Sequence, residues 1–412
     1  MVASVYLISA EGRTGKSAVA LGVLDALLAD VPRVAVFRPL IRSRGERDRV
    51  LELLRSRATA DVQYEACIGA TYEEAHDDIE AALARIVARY HELKAHCDAV
   101  LVVGSDFTDV AAPTELATNA RIAVNLDTPV LLVLGGRAQD GTETLGQSTA
   151  RTAEEIAQVG ELAAAELRAA HAALLAVIVN RADPSILSGI TAEVARAMPD
   201  RTPVWAVPEE VALVAPTVAA VLAAVEGELM RFPAVSATAE GGAGGASGAS
   251  SGTGPSGASG ASVDEALGRE VRRIVIAGMA MEHVLPRLIE GSAVVVAADR
   301  AETLLAVVMA HEAPTFPSLA AVVLNGDFPL SPDVERLLAG IASSLPLIRT
   351  ALGTFDTAQR IMHARGLLTA EAAGRLETAI GLFREHVDVA ALTQIMRLHR
   401  GSVRTPTMFS YE

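Results

Sequence analysis

Residues 10–17 read Ala10-Glu11-Gly12-Arg13-Thr14-Gly15-Lys16-Ser17 and directly follow the apolar run Val2 to Ile8. Gly15, Lys16 and Ser17 fill the last three places of the phosphate-loop pattern G-x-x-x-x-G-K-[ST], in the expected order of strand, loop and helix. Loop N–H groups from Gly12, Thr14 and Gly15, with the positive end of the following helix, would face a phosphate chain. Lys16 would neutralise that chain, and the Ser17 hydroxyl would bind Mg²⁺. The first glycine of the pattern is replaced by Ala10, whose Cβ costs little at negative φ and more at positive φ. A loop that keeps this shape after nucleotide binding has faded is the other reading of the same residues.

Composition makes Lys16 more telling. Of 35 basic residues only Lys16 and Lys94 are lysine; the rest are arginine. A compact ammonium was kept at the position where a phosphate would sit, and the two cations are not interchangeable there. The chain as a whole carries a formal charge of −15, which argues against a nucleic-acid or anionic-membrane partner and leaves Lys16 as a local positive site. Cys67 and Cys97 are the only cysteines, too few for a disulfide framework or a thiolate metal site. A reducing cytoplasm is the plain expectation. The N-terminus has no basic n-region, and the apolar stretch Leu213 to Val225 is too short to span a bilayer, so neither a signal peptide nor a membrane anchor is expected.

The elements that must position the loop follow from hydrophobic patterning. The 412-residue length predicts at least two domains. With 51% hydrophobic but only 3% aromatic residues, the core must be Ala, Val, Leu and Ile, which suits buried parallel strands under Ala-rich helices. Val2–Ser9, Val34–Phe37, Ala99–Val103, Val130–Leu134, Leu175–Val179 and Val204–Val207 read as strands. Helices are predicted over 15–29, 46–57, 72–94, 114–126, 144–170 and 184–197. Repeated β-α units imply an α/β fold with a doubly wound, mostly parallel sheet, whose ligands sit at the carboxyl ends of its strands. This domain is expected over 1–235.

Ser236 to Ser262 is almost wholly Ala, Gly, Ser and Thr, and reads as a flexible tether with a span of about 30 Å. A second, smaller α/β domain is expected over 263–390. Its predicted strands are Arg273–Ala277, Ala293–Ala297, Ala320–Leu324 and Leu347–Thr350, with helices over 302–312, 331–343, 354–364 and 371–387. Residues 391–412 read as a linker.

At this point the residues resemble a known family. The loop Ala10–Ser17, Phe37-Arg38-Pro39 with Glu46-Arg47-Asp48, Val102-Val103-Gly104-Ser105-Asp106, Asn119-Ala120, Pro129 to Val133 and Val179-Asn180-Arg181 resemble the dethiobiotin-synthetase-like P-loop fold. With Asp299-Arg300 and the closing Thr405-Pro406-Thr407-Met408-Phe409, the order of the chain resembles the N-terminal half of the long form of bacterial phosphate acetyltransferase. That family places a P-loop domain, then a DRTGG domain, before its acetyltransferase domain.

The resemblance implies a cytoplasmic, regulatory and oligomer-forming role. Its partners would be small-molecule metabolites or a nucleotide such as ATP with Mg²⁺. Acetyl transfer, from acetyl-CoA and phosphate to acetyl phosphate and CoA, would belong to a domain beyond this chain. It also implies that Asn180 reads an adenine edge, that Ser17, Asp48 and Asp106 hold the metal, and that Asp299 and Arg300 meet an effector. The departures are specific: Val103 stands where the synthetases have a metal-holding glutamate, Arg38 where they have a lysine before proline, and Asn325-Gly326-Asp327 where the second domain has Thr-Gly-Gly.

Bland readings stand beside these roles. Asn180 also suits a strand-end turn, and Asp299 with Arg300 suits a surface ion pair or a helix cap. His91, His96 and Cys97 lie close in sequence, but the i to i+5 spacing puts the two histidines on different helix faces, so no metal site is expected there. Gly135-Gly136 reads as a turn, and no catalytic residues are visible. A stand-alone ATP-dependent synthetase and a non-catalytic sensor with a structural P-loop are the alternative functions.

Overall fold

The computed structural model describes residues 3–105, 115–138, 144–145, 147–199, 201–230, 263–341, 343–366, 368 and 373–398. The loop carrying Asp106, the predicted tether Ser236–Ser262 and the tail with Thr405 to Phe409 lie outside the described residues. The chain forms two compact units that do not follow sequence order. One draws on Met1–Thr142, Ser148–Leu213 and Leu368–Glu412, the other on Glu143–Gln147 and Val214–Leu367.

The first unit is an α/β layer structure around a seven-stranded sheet, with strand order β3-β2-β4-β1-β5-β6-β7. The strands are β1 Ala3–Ser9, β2 Val34–Ile41, β3 Ile68–Thr71, β4 Ala99–Val103, β5 Val130–Gly135, β6 Leu174–Ala182 and β7 Val204–Pro208. Every pairing is parallel. Val5, Tyr6, Leu7 and Ile8 of β1 are wholly buried, as a central parallel strand covered on both faces must be. The sequence reading finds every strand of this sheet except β3. That strand is four residues long and contains Gly69, where a Cβ would lie 2.5 Å from the Pro39 carbonyl oxygen. Glycine is what lets β3 approach the proline-bearing end of β2.

The predicted helix over 72–94 is two helices, Tyr72–Asp77 and Ile79–Lys94. Asp78 breaks the run because its side chain accepts from the N–H groups of Glu80 and Ala81 and caps the second helix. The helix expected over 144–170 begins only at Ala153, behind a capping box between Thr152 and Glu155.

Helix α1, Lys16–Asp30, is apolar around most of its circumference, and such a helix needs cover on every side. The sheet covers one side. The helices Ala373–His386 and Val389–Leu398 complete the rest, burying Leu376, Ile380, Phe383, Val387, Leu392 and Met396 in the first unit's core. Gly22 makes room for this packing: a Cβ there would lie 2.1 Å from the Phe383 ring. Arg384 forks onto Asp25 at 2.8 and 2.9 Å, and Arg397 pairs with Asp30. The sequence reading assigns 371–387 to the second domain and 391–412 to a linker. The structure instead places 373–398 on the first unit.

The second unit holds a five-stranded sheet of order β8-β12-β11-β10-β9. Its strands are β8 Glu228–Leu229, β9 Arg273–Ile276, β10 Ser292–Ala297, β11 Ala321–Asn325 and β12 Leu347–Thr350. Only β8 runs antiparallel. The apolar stretch 213–225 is interrupted at Pro216, which the helices Val211–Val214 and Val218–Ala224 flank, and Thr217 caps the second by accepting from Ala220 N–H. No helix among the described residues is long and apolar enough to cross a membrane.

Candidate functional site

The loop between β1 and α1 has the geometry its sequence predicts. Gly15 caps α1 with φ 75° and ψ 28°, a left-handed conformation that favours glycine. A Cβ on Gly15 would also lie 2.5 Å from the Asn180 amide nitrogen, so two independent demands select glycine. Ala10 is not among the positive-φ residues, so replacing the first glycine leaves no backbone strain there. Arg13 takes the left-handed turn instead, at φ 59°.

The carboxyl ends of β2 and β4 meet the loop from one side. Lys16, only 4% exposed, sends its Nζ to the carbonyl oxygens of Gly104 at 2.6 Å and Ser105 at 3.0 Å. Arg38 of β2, 2% exposed, donates from Nη1 to the Val103 carbonyl at 3.1 Å and to the same Gly104 oxygen. Its Nε donates to Asp48 Oδ2 at 3.3 Å. Gly104 must itself be glycine, since a Cβ would lie 2.5 Å from Asn119 Oδ1, which accepts the Tyr6 hydroxyl at 2.8 Å. Complete burial holds the Tyr6 phenol far above its usual pKa.

From the other side the loop is tied down by β5, β6 and β7. Asn180 donates its amide N–H₂ to the carbonyls of Thr14 at 2.8 Å and Gly15 at 3.3 Å. Arg181 donates to the Arg13 carbonyl at 3.1 Å and pairs with Glu209, which also takes Arg137. Glu11 is held by both guanidinium nitrogens of Arg151, which also reaches the Gly135 carbonyl at 3.2 Å. The Glu11 hydrogen bond is the main reason the Arg151 pKa is raised. The hydroxyls of Ser9 and Thr14, at the two ends of the loop, are buried with no partner among the described residues.

The predicted site residues thus divide. Gly12, Thr14, Gly15, Lys16, Ser17 and Asn180 come together at the head of α1, with Ser17 half-buried in its first turn. Asn180 spends its amide donors on the loop backbone. Asp48 lies beside Arg38 rather than open to a metal, because Oδ1 caps the helix Arg49–Arg55 by accepting from Leu51 N–H at 2.8 Å. Asp106 is outside the described residues. Among the described residues no group of three or more His, Cys, Asp or Glu side chains has metal-holding geometry, and Asp48 is engaged by Arg38 and by the helix cap.

Asp299 and Arg300 lie in the other unit. Asp299 is exposed, and Arg300 begins the helix Ala301–Glu312 with its Nε 3.5 Å from Glu302. The Asn325 amide there accepts from Thr354 N–H at 3.1 Å and donates to the Val296 carbonyl at 3.1 Å, which ties two strands to a helix start.

Arg151 and Glu209 were not singled out from the sequence, and Arg181 was quoted only within Val179-Asn180-Arg181, with no role given to it. Their signal is position, since each stands close to the carboxyl end of a parallel strand or in the segment that follows it.

The AAA domain family matches residues 3–226, and the DRTGG domain family matches residues 257–364. Phosphate acetyltransferase of Synechocystis sp. is 25% identical over 420 residues, and that of Nitratidesulfovibrio vulgaris 26% over 417. These alignments cover 100% and 99% of this chain but 54% of each relative. The chain therefore spans about half the length of the curated relatives it matches. Among solved structures, chloroplast FtsY from Physcomitrella patens aligns over 51% of this chain and 60% of its own, at 17% identity and a TM-score of 0.32. With a family match over more than half of its length, the chain belongs to the AAA domain family, and a DRTGG domain follows that region.

Proposed function

We propose that the chain is a regulatory, metabolite-sensing part of a phosphate acetyltransferase and that it binds a nucleotide or another phosphorylated metabolite at Ala10–Ser17. One observation carries this reading: the phosphate-facing half of the site is built, while the half that would drive ATP chemistry is altered. Gly15 and Lys16 stand at the head of α1 in a loop held by Asn180 and Arg181. The end of β4 presents Val103 and Gly104, and Arg38 closes over it. Binding needs the first set; phosphoryl transfer also needs positioned acids and a metal. Acetyl transfer between acetyl-CoA and phosphate, assembly into a homo-oligomer and a cytoplasmic setting belong to the same proposal. The acetyl-transfer part is supported by the two phosphate acetyltransferases that align with 100% and 99% of this chain.

Calorimetric titration with ATP, NADH and acetyl-CoA tests the sensing role. At least one is expected to bind, and Lys16→Ala is expected to weaken a phosphate-bearing ligand by tenfold or more. No binding of any of the three would leave only a structural role for the loop. ATP hydrolysis that Lys16→Ala abolishes would favour an ATP-dependent synthetase. Acetyl phosphate formed at a full enzymatic rate by this chain alone would overturn the regulatory assignment.

A further inference from the structure

The strand end that clamps the phosphate loop carries one polar group that the clamp does not use. Asn180 and Arg181 spend their side chains on the loop, the Asn180 amide donating to the Thr14 and Gly15 carbonyls and Arg181 Nη1 to the Arg13 carbonyl. Neither amide donor is left over to read a base. Arg181 sits at φ 58°, in the left-handed region where a side chain is strained, and the chain turns there. Glu209 fixes the turn, pairing with the Arg181 guanidinium at 2.9 Å and donating its N–H to the Ala182 carbonyl at 2.9 Å. The first residue past β6 is Asp183.

Asp183 Oδ1 accepts from the Ser185 N–H at 2.9 Å and from its hydroxyl at 2.7 Å. These two bonds orient the carboxyl group and, with Arg137 nearby, hold it below the usual carboxylate range. It is an acceptor only at neutral pH. The next helix, Leu187–Ala197, has Ile186 as its N-cap, so Asp183 is not spent on a helix start. Oδ2 accepts no hydrogen bond among the described residues. A carboxylate has about four lone-pair sites, of which Ser185 fills two. Asp183 is only partly buried, at the carboxyl end of a parallel strand where ligands of such sheets lie. Three residues separate it from Asn180, a reach of at most about 11 Å, which is the order of distance between the phosphates and the base of a nucleotide.

We infer that the ligand of this loop is a guanine nucleotide, with the Asp183 carboxylate accepting the N1–H and the 2-amino N–H of the base. The inference rests on the proposal that the loop binds a nucleotide, and it adds which base is read and by which residue. Guanine is the common base that presents two donors side by side. Adenine presents a ring-nitrogen acceptor beside its amino group, and that lone pair would face the carboxylate. A site that offers only acceptors selects strongly against such an edge.

The test is titration of the wild-type chain with GDP and with ADP in one Mg²⁺-containing buffer. GDP is expected to bind at least tenfold more tightly. A smaller preference, or one for ADP, would overturn the inference and leave a nucleotide site at the loop standing. No binding of either would overturn both. Asp183→Asn keeps one oxygen for Ser185 and puts an amide donor in place of the other. It is expected to weaken GDP tenfold or more and to strengthen xanthosine diphosphate, whose carbonyl oxygen replaces the 2-amino group. That gain cannot come from misfolding. Unchanged GDP affinity, or no gain for xanthosine diphosphate in a variant whose thermal unfolding matches the wild type, would also overturn the inference.

Discussion

Gly15 and Asn180 are the most constrained pair in the site, and they fail in different ways. Gly15→Ala forces a side chain into a left-handed conformation and against the Asn180 amide, at a cost of about 1–3 kcal/mol. A lower melting temperature and weaker ATP binding are both expected. Asn180→Ala removes two hydrogen bonds to the loop, about 1–2 kcal/mol of stability. ATP and GTP should then weaken together; a changed ATP-to-GTP preference would instead assign the amide to the base. Lys16 and Gly15 were legible because a motif names them. The clamp role of Asn180 was not, since its partners lie in the loop more than 160 residues earlier in the chain.

The cysteines give a second residue-scale expectation. Burial pushes both thiols up to about 11. A raised pKa means less thiolate at any given pH, so a disulfide reagent at pH 8 should label neither Cys67 nor Cys97 in the folded chain. Both should react once the chain is unfolded in denaturant. Rapid labelling of the native chain would contradict the packing around them.

At the scale of elements, α1 decides how the first unit closes. Helix propensity alone predicts that Gly22→Ala stabilises by about 1 kcal/mol. The Phe383 ring reverses that sign, because the new methyl would sit 2.1 Å from it and overpacking costs about 1–3 kcal/mol. Gly22→Ala should lower the melting temperature, and adding Phe383→Ala should recover part of the loss in a double-mutant cycle. Strands such as β1 and β4 were readable from the sequence because continuous apolar runs between turn residues leave few alternatives. The β3 strand was too short to show a period. The docking of 373–398 was concealed for another reason: an amphipathic helix declares that it needs a partner without naming which one. The all-round apolarity of α1 was the available signal, and it marks the surface that these helices cover.

At the scale of the whole molecule, the two units share the chain in alternation. A chain ended after Gly366 would lack Leu376, Ile380, Phe383, Val387, Leu392 and Met396, each contributing about 1.5–3 kcal/mol by burial. Such a truncation should unfold or aggregate, read by thermal unfolding and by recovery in the soluble fraction. A truncated chain with the melting temperature of the full one would refute the placement of these helices. Domain order was the part least visible in the sequence. The Gly/Ser/Ala-rich run from 236 to 262 looks like a boundary, whereas the units part company near Leu213 and Leu368.

That division also sets a schedule for biosynthesis. The side chains that cover α1 leave the ribosome long after the helix they cover. Until residue 396 emerges, one flank of α1 has no permanent neighbour, while the 154 residues of Val214–Leu367, counted inclusively, are translated in between. The nascent first unit must wait with an apolar helix exposed, and this is the interval in which a chaperone has something to hold.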